Sequence, residues 1–303
     1  MRFAPKNAKL AEAAAAPQKK FSTSSGTLLE YIHLDRGKPR TIVFFNGWMT
    51  KNGIWKLQEK SLWDFNLLFT NNRGYGQSTL DGDKPSTYLY SCARDNAELL
   101  AHLRITNPDT VAFSMGGLIA TAFHHEMQAA VRSMSFVSPA VSSPLETFRF
   151  AHLVQPLMIV LERTQGVTSL FGGLRIIAKL AKTDPAVAPL YLYLKHLRKD
   201  MKFAEFAKYL NESLDLNAQA SLLSLRAMFE TGNDIGALLS EVKVPVFVVR
   251  GGSDSLVNEK SVELIRERVP SAMINIYEGL SHYPQIEQPK RFNQDLYEFL
   301  IKH

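Results

Sequence analysis

Cysteine is almost absent from this chain, which has only Cys92 among its 303 residues. A single thiol can form neither an internal disulfide nor a cysteine zinc site, so we interpret Cys92 as a buried structural residue. Long apolar runs are lacking too, and no transmembrane helix is predicted. The composition, 46% hydrophobic and 21% charged, is typical of a soluble globular protein with one large core or a core plus an inserted subdomain.

Patterns that bind phosphate groups or metals are also missing. Thr79 follows the glycine-rich stretch 74–78 at the place where a dinucleotide fingerprint has its third glycine, and no P-loop lysine follows any glycine-rich turn. His124, His125 and Glu126 are adjacent in a predicted helix, and adjacent helical residues do not share a face. We therefore expect neither a cofactor nor a metal.

Positive charge is in moderate excess, with a net charge of +6 and a pI near 9.2. The lysines and arginines are scattered, and no basic run is interleaved with aromatic residues, so nucleic-acid binding is not expected. A peripheral contact with anionic membranes stays open as an alternative, since an apolar cap beside basic residues could approach a bilayer.

The first twenty residues differ in composition from the rest. They are alanine-rich, contain four lysines and have Glu12 as their single acid, without the apolar stretch of a secretory signal. We predict that residues 1–20 form a flexible N-terminal extension, and a transit peptide is the alternative. The default location of the protein is then cytoplasmic.

Short apolar runs alternate with helical patterns in two parts of the chain. Thr41–Phe45 and Val244–Val249 are typical of buried strands, and Tyr90–Leu103 is typical of a helix. This alternation predicts an α/β fold with a doubly wound, mostly parallel sheet. The core is predicted over residues 21–141 and 242–303. The intervening residues 142–241 contain no convincing strand and are predicted to form an inserted helical cap.

A serine stands at the tip of a predicted strand-to-helix turn. The segment Thr110–Ala120 is a short apolar strand, then Ser114, then a helix that begins with two glycines. This is the spacing of a nucleophile elbow, G-x-S-x-G, with Ala112 in place of the first glycine. Ser114 is therefore a candidate nucleophile, and the simpler interpretation is a serine that caps the helix.

Two further residues complete a catalytic set of side chains. An alkyl hydroxyl needs a base at neutral pH, and the base needs a carboxylate on its other nitrogen. Asp254 and His282 each follow a predicted strand, so we expect them at the same sheet edge as Ser114. Taken alone, Asp254 could cap a turn and His282 could be a surface histidine. The chain order of serine, aspartate and histidine favours the catalytic interpretation.

Acyl transfer also requires hydrogen-bond donors for the developing oxyanion. The backbone amide of Met115, at the start of the helix, is one candidate. The backbone amide of Trp48, in the loop after the Thr41–Phe45 strand, is the other. Three residues that lie near Trp48, Ser114 and His282 in the sequence are predicted to line the substrate pocket. They are Asn46, Phe113 and Tyr283.

Several segments carry a resemblance to a known family. They are Asn46–Trp48, Asn71–Ser78, Ala112–Gly117, Val244–Asp254 and Gly279–Pro289. Together they resemble the α/β-hydrolase fold family, in its lipase, esterase and peptidase branch with an inserted helical cap.

The resemblance covers roughly residues 21–303, and three positions depart from it. Asn46, Asn71 and Ala112 stand where the family usually has His, Asp and Gly. These departures are conservative in size and leave the three catalytic residue types in place. Ser138 occupies the position that holds the acid in some members, which favours Asp254 as the acid here.

The set of residues favours hydrolysis of a carboxylic ester, with a lipophilic acyl or aromatic group, through an acyl-enzyme. The predicted partner is a small-molecule ester or a lipid, and the oligomeric state stays undetermined. An aminopeptidase, an amidase or an acyltransferase on the same residues is an alternative, in which Glu162, Glu205 or Glu212 could hold a substrate amine. A catalytically silent ligand-binding protein is the alternative outside enzymes.

Overall fold

The computed structural model describes residues 17–127, 130–148, 212–215 and 217–303. Their eight strands form one sheet in the order β1-β2-β4-β3-β5-β6-β7-β8. The strands are β1 Lys19–Ser22, β2 Leu28–Leu34, β3 Thr41–Phe45, β4 Asn66–Thr70, β5 Asp109–Phe113, β6 Ser133–Val137, β7 Val246–Gly251 and β8 Met273–Tyr277. The pairs β1–β2 and β2–β4 are antiparallel, and every other pair is parallel. The prediction of a mostly parallel α/β sheet is thus confirmed.

Helices cover both faces of this sheet. In the described ranges the α-helices are α1 Lys56–Glu59, α2 Pro85–Leu103, α3 Gly116–Glu126, α4 Pro144–Thr147, α5 Ala218–Ala237, α6 Lys260–Arg268, α7 Pro284–Glu287 and α8 Pro289–Lys302. Single 3₁₀ turns occur at Asn52–Trp55 and Leu238–Glu241. None of these helices is both long and apolar enough to cross a membrane.

The buried strands explain why the helices divide between two faces. Along β3, Val43 and Phe45 belong to one apolar cluster with side chains of α2, α3, α5 and α6, whereas Ile42 and Phe44 belong to a second cluster with side chains of α7 and α8. Successive side chains of a strand point to opposite faces, so an uninterrupted apolar run needs cover on both. This arrangement brings the carboxyl ends of β3, β5, β6 and β7 to one edge.

The predicted domain boundaries are only partly covered by the described residues. Lys19 and Lys20 belong to β1, so the last two residues of the predicted extension are part of the sheet, and residues 1–16 lie outside the described ranges. Within the predicted insertion at 142–241, α5 packs against α2 and α3 and contributes to the same apolar cluster. The extension and the cap themselves stay predictions.

A buried ion pair joins the amino-terminal edge of the sheet to the last helix. The Arg40 guanidinium donates to both carboxylate oxygens of Asp109, from Nε at 3.0 Å and from Nη2 at 2.8 Å. Arg40 Nη1 also donates to the carbonyl oxygen of Leu300 in α8, and the hydroxyl of Ser133 donates to Asp109. Asp109 is fully buried, so these donors replace the water that its charge has lost.

We expect Asp109→Ala to lower the free energy of unfolding by about 3 kcal/mol, because it leaves the mostly buried Arg40 guanidinium without its counter-charge. Urea unfolding at pH 7 measures the change. The control is Lys260→Ala, which breaks the exposed pair with Glu263 and should cost less than about 1 kcal/mol. Equal costs in the two variants would contradict a stabilising role for the buried pair.

Candidate active site

Ser114 occupies a strained turn between β5 and α3. Its φ angle is +51°, in the left-handed region that is uncommon for residues other than glycine. Its amide donates to the carbonyl oxygen of Val137 at 3.0 Å, and its own carbonyl oxygen accepts from the amides of Gly117 and Ala140. These three bonds hold the backbone in the strained conformation. Ala112, fully buried two residues earlier, is therefore compatible with the sharp turn.

Two glycines allow other backbone segments to approach this turn. A Cβ atom on Gly116 would lie 2.5 Å from the carbonyl oxygen of Phe45, at the end of β3. A Cβ atom on Gly47 would lie 2.8 Å from the ring of Phe113 and 3.1 Å from the Cβ atom of Ser114. Contacts this short exclude a side chain at either position, so the loop after β3 packs directly on the serine turn.

Asp254 and His282 form a buried hydrogen-bonded pair at the carboxyl ends of β7 and β8. His282 Nδ1 lies 2.8 Å from Asp254 Oδ2. The other carboxylate oxygen, Oδ1, accepts from the amides of Leu256 and Val257 at 2.9 and 3.0 Å. Burial acts to raise the pKa of Asp254, but the His282 ring and these two amides outweigh it and lower that pKa.

This pair fixes the tautomer of the histidine. An ionised carboxylate can only accept hydrogen bonds, so Nδ1 of His282 carries the proton and donates it to Asp254. The second ring nitrogen, Nε2, is then the one that can take a proton from a hydroxyl. The arrangement can perform general-base chemistry on a nucleophile at the same sheet edge.

The His282 ring lies beside the serine turn. Its centroid is 5.0 Å from that of Phe113, the residue before Ser114. Ser114 and His282 are 6% and 5% exposed, so little solvent reaches either. Within the described residues the hydroxyl of Ser114 makes no hydrogen bond. Catalytic hydrogen bonds of this kind often tighten only in the substrate complex.

Glu287 supports the His282 loop, a role that its place in the family-like segment Gly279–Pro289 did not by itself predict. Its carboxylate accepts from the amide of Ser281 at 3.1 Å and from that of Tyr283 at 3.3 Å, and it also accepts from the Ser281 hydroxyl. Burial raises the pKa of Glu287. The carboxylate thus holds the residues on both sides of His282. An acid five residues after the candidate base was the available signal.

The candidate oxyanion donors lie on two different segments. Met115 adopts helical backbone angles immediately before α3, and Trp48 lies in the loop after β3. In the part of the chain that the structure describes, the amide nitrogen of neither residue donates to a protein acceptor. The two N–H groups are thus available to an oxyanion, and their predicted role stays a prediction.

The three predicted pocket residues differ in their surroundings. Phe113 is buried, and its ring contacts those of His282 and Tyr283, with centroids 5.0 and 5.4 Å apart. Tyr283 is half-buried, and its ring also packs edge-on against that of His282, with the two centroids 5.3 Å apart. Asn46 is fully buried, and its side-chain amide forms hydrogen bonds with residues of other loops. Contact of these residues with substrate stays a prediction.

Asn46 and Asn71, two of the residues that depart from the family's usual ones, belong to one buried hydrogen-bond network. Asn46 Nδ2 donates to the carbonyl oxygen of Thr70 at 2.8 Å and to Asn71 Oδ1 at 3.3 Å, while Asn46 Oδ1 accepts from the indole of Trp55. Asn71 Nδ2 donates to the buried carboxylate of Glu30. Two amides thus connect the loops after β3 and β4, and their departure from the family's usual residues leaves these loops joined.

Metal ligands are not clustered in the described ranges. No group of three or more His, Cys, Asp or Glu side chains there could hold a metal ion.

Comparison with known proteins identifies relatives over most of the chain. The family model described as "Serine aminopeptidase, S33" matches residues 58–289. A pimeloyl-[acyl-carrier protein] methyl ester esterase of Vibrio cholerae is 26% identical over 283 residues, which cover 88% of this chain and 96% of the relative.

Solved structures show the same fold at lower identity. A thermophilic esterase from Thermogutta terrifontis superposes with a TM-score of 0.68 at 19% identity, covering 95% of this chain and 99% of the esterase. An alpha/beta hydrolase fold protein from Chitinophaga pinensis gives a TM-score of 0.68 at 20% identity, covering 96% and 99% of the two chains. The resemblance to the α/β-hydrolase fold family is thus confirmed, and the chain belongs to the serine aminopeptidase family of α/β-fold hydrolases.

Proposed function

We propose that this α/β-fold hydrolase cleaves a carboxylic ester through an acyl-enzyme on Ser114. The observation that carries the proposal is the buried His282–Asp254 hydrogen bond of 2.8 Å at the sheet edge that also presents Ser114. The names of the relatives from Vibrio cholerae and Thermogutta terrifontis, both esterases, support an ester as the substrate.

In the first half of the proposed reaction, Ser114 Oγ attacks the carbonyl carbon of the ester. Its proton moves to His282 Nε2, and the carbonyl oxygen becomes an oxyanion that accepts from the amides of Met115 and Trp48. The tetrahedral intermediate collapses, the bond to the leaving alkoxide breaks, and His282 returns the proton to that oxygen. An acyl group remains bonded to Ser114.

In the second half, water replaces the alcohol. His282 Nε2 takes a proton from the water as its oxygen attacks the acyl carbon, and the same amides bind the new oxyanion. Collapse breaks the bond to Ser114 Oγ, which receives the proton from His282. The products are a carboxylic acid and the free enzyme. Asp254 accepts from His282 Nδ1 throughout and stabilises the imidazolium formed in both halves.

The aromatic rings beside His282 favour a lipophilic acyl or aromatic substrate. The half-buried ring of Tyr283 lies next to the candidate base and packs on the buried ring of Phe113, and apolar lining with few polar groups is typical of small-molecule sites. Contact with an anionic membrane and a cytoplasmic location stay predictions.

An aminopeptidase is the second candidate, favoured by the description of the family. Such an enzyme needs an acid to hold the substrate amine. Among the three acids considered, Glu212 pairs with Lys56 at 2.7 Å, which satisfies its charge within the protein. Glu162 and Glu205 lie outside the described residues. Comparing the hydrolysis of 4-nitrophenyl butyrate with that of amino-acid 4-nitroanilides separates the two activities.

Mass spectrometry after treatment with a fluorophosphonate tests the proposal. We expect one adduct per chain, mapped to Ser114, because a fluorophosphonate phosphonylates serines that an adjacent base activates. Heat-denatured protein is the control and should remain unlabelled. Folded protein that takes no adduct, or an adduct at another serine, would contradict the assignment.

A further inference from the structure

The loop that carries Trp48 is held by a distant part of the chain. We call residues 212–215 together with 217–221 the return segment, because they lie within the predicted insertion and lead the chain into the first turn of α5. The amide of Lys51 donates to the carbonyl oxygen of Ser213 at 2.7 Å, and the amide of Asp215 donates to that of Met49 at 2.9 Å. The return segment thus pairs with the backbone immediately after Trp48.

This pairing supports a strained residue. Met49 has a φ angle of +57°, in the left-handed region, and directly follows Trp48. A residue other than glycine keeps this conformation only where its surroundings impose it. The bond from the Asp215 amide to the Met49 carbonyl is such a constraint. The orientation of the Trp48 peptide therefore depends on the return segment.

The side chain of Trp48 makes a second connection to the same segment. Its indole Nε1 donates to the carbonyl oxygen of Ser221, in the first turn of α5, at 2.8 Å. The loop after β3 is thus fixed at Trp48 itself, through the indole, and immediately after it, through the backbone at Met49 and Lys51.

The carboxylate of Asp215 fixes the return segment in turn. Asp215 Oδ2 accepts from the amide of Gly76, in the loop after β4, at 2.6 Å. Asp215 Oδ1 accepts from the amide of Asn217, whose own side chain caps α5 through the amide of Ala220. A charged acceptor forms stronger hydrogen bonds to amides than a neutral one does. Asp215 thereby links the β4 loop, the start of α5 and the loop of Trp48.

We propose that Asp215 and the Trp48–Ser221 hydrogen bond are positioning elements of the oxyanion site. They act through the Trp48 backbone amide, whose contribution depends on its direction toward the oxyanion, and neither touches the reacting atoms. The inference rests on the proposed function, because it assigns a cause to the orientation of one proposed donor.

Two variants test this role by separating kcat from KM. Asp215→Ala removes the acceptor for two amides, and Trp48→Phe removes the indole donor while keeping an aromatic ring and the backbone amide. With 4-nitrophenyl butyrate we expect kcat to fall about tenfold in each variant, while KM changes less than about twofold. Loss of a donor that is used only in the transition state lowers kcat without weakening ground-state binding.

Phenylboronic acid provides a readout that a purely structural role would not move. Ser114 Oγ adds to its boron atom, and the resulting tetrahedral adduct places an oxygen at the oxyanion position. We expect its inhibition constant to rise about tenfold in both variants, in parallel with the fall in kcat. Asp215→Asn, which keeps one acceptor oxygen, should recover part of both losses. Glu230→Gln, on the exposed side of α5, is the control and should change neither kcat nor the inhibition constant.

The outcomes separate this inference from the proposed function. Variants that retain the wild-type melting temperature, kcat and boronate affinity would overturn the positioning role and leave the proposed function intact. A rise in KM with unchanged kcat would also overturn it, because it would indicate a contact with bound substrate. If the wild-type protein neither binds phenylboronic acid nor takes a fluorophosphonate adduct, both proposals are wrong.

Discussion

Hydrolysis of 4-nitrophenyl butyrate is expected to fall about 10⁵-fold in Ser114→Ala, because the variant lacks the atom that forms the proposed acyl-enzyme. Serine and alanine differ by one oxygen and both carry a Cβ atom, so alanine accepts the φ angle of +51° as readily as serine does. The fold should therefore persist. The measurement is kcat/KM at pH 7, together with the melting temperature.

Ser135→Ala is the matched control. Ser135 is a buried serine on the neighbouring strand β6, and its hydroxyl has no hydrogen-bond partner within the described ranges. Its removal should leave activity within about twofold of wild type, because no hydrogen bond is lost. An active Ser114→Ala variant would exclude a serine-based mechanism at this turn.

Replacing Asp254 by asparagine is expected to lower kcat about 10⁴-fold. In the native protein Oδ1 of Asp254 already accepts from the amides of Leu256 and Val257. An asparagine at this position has to keep its single oxygen there, which turns its NH₂ group toward His282 Nδ1. That group donates, so the proton of the imidazole moves to Nε2. The ring then cannot take the proton of Ser114, although every side chain stays in place.

Asp295→Asn provides the comparison for this prediction. Asp295, in α8, accepts from the hydroxyl of Tyr277 at 2.6 Å and from Asn275 at 3.1 Å, away from the candidate site. We expect this variant to keep kcat within about twofold, since its side chain meets no reacting group. A fall of less than tenfold in Asp254→Asn, in folded protein, would mean that Asp254 does not orient His282.

The order of strands and helices follows from sequence patterns that neighbouring residues carry. The apolar run Thr41–Phe45 predicts a strand covered on both faces, and the structure confirms it in the centre of a mostly parallel sheet. The elbow pattern around Ser114 predicts a sharp turn, and the left-handed φ angle is found there even with Ala112 in place of glycine. Both features depend on local sterics and alternation, which are readable from the sequence.

Other features were missed because they join residues far apart in the chain. The capping signal at Asn217 is local, whereas the bond between Asp215 and Gly76 spans 139 positions and has no sequence pattern of its own. Glu287 is a nearer case, six residues after Ser281, in a segment that carries the family resemblance. The sequence assigned it no role, and only its burial against the amides of Ser281 and Tyr283 gives it one.

The sequence by itself determined the fold class, the chain order of serine, aspartate and histidine, and the edge of the sheet at which these residues lie, because periodicity and turn chemistry are properties of neighbouring residues. Tertiary structure alone decided which ring nitrogen of His282 bonds the predicted partner Asp254, that Asn46 faces inward to other loops, and that the return segment holds the Trp48 loop. These contacts depend on how separately formed elements pack, and packing selects among partners that the sequence presents equally.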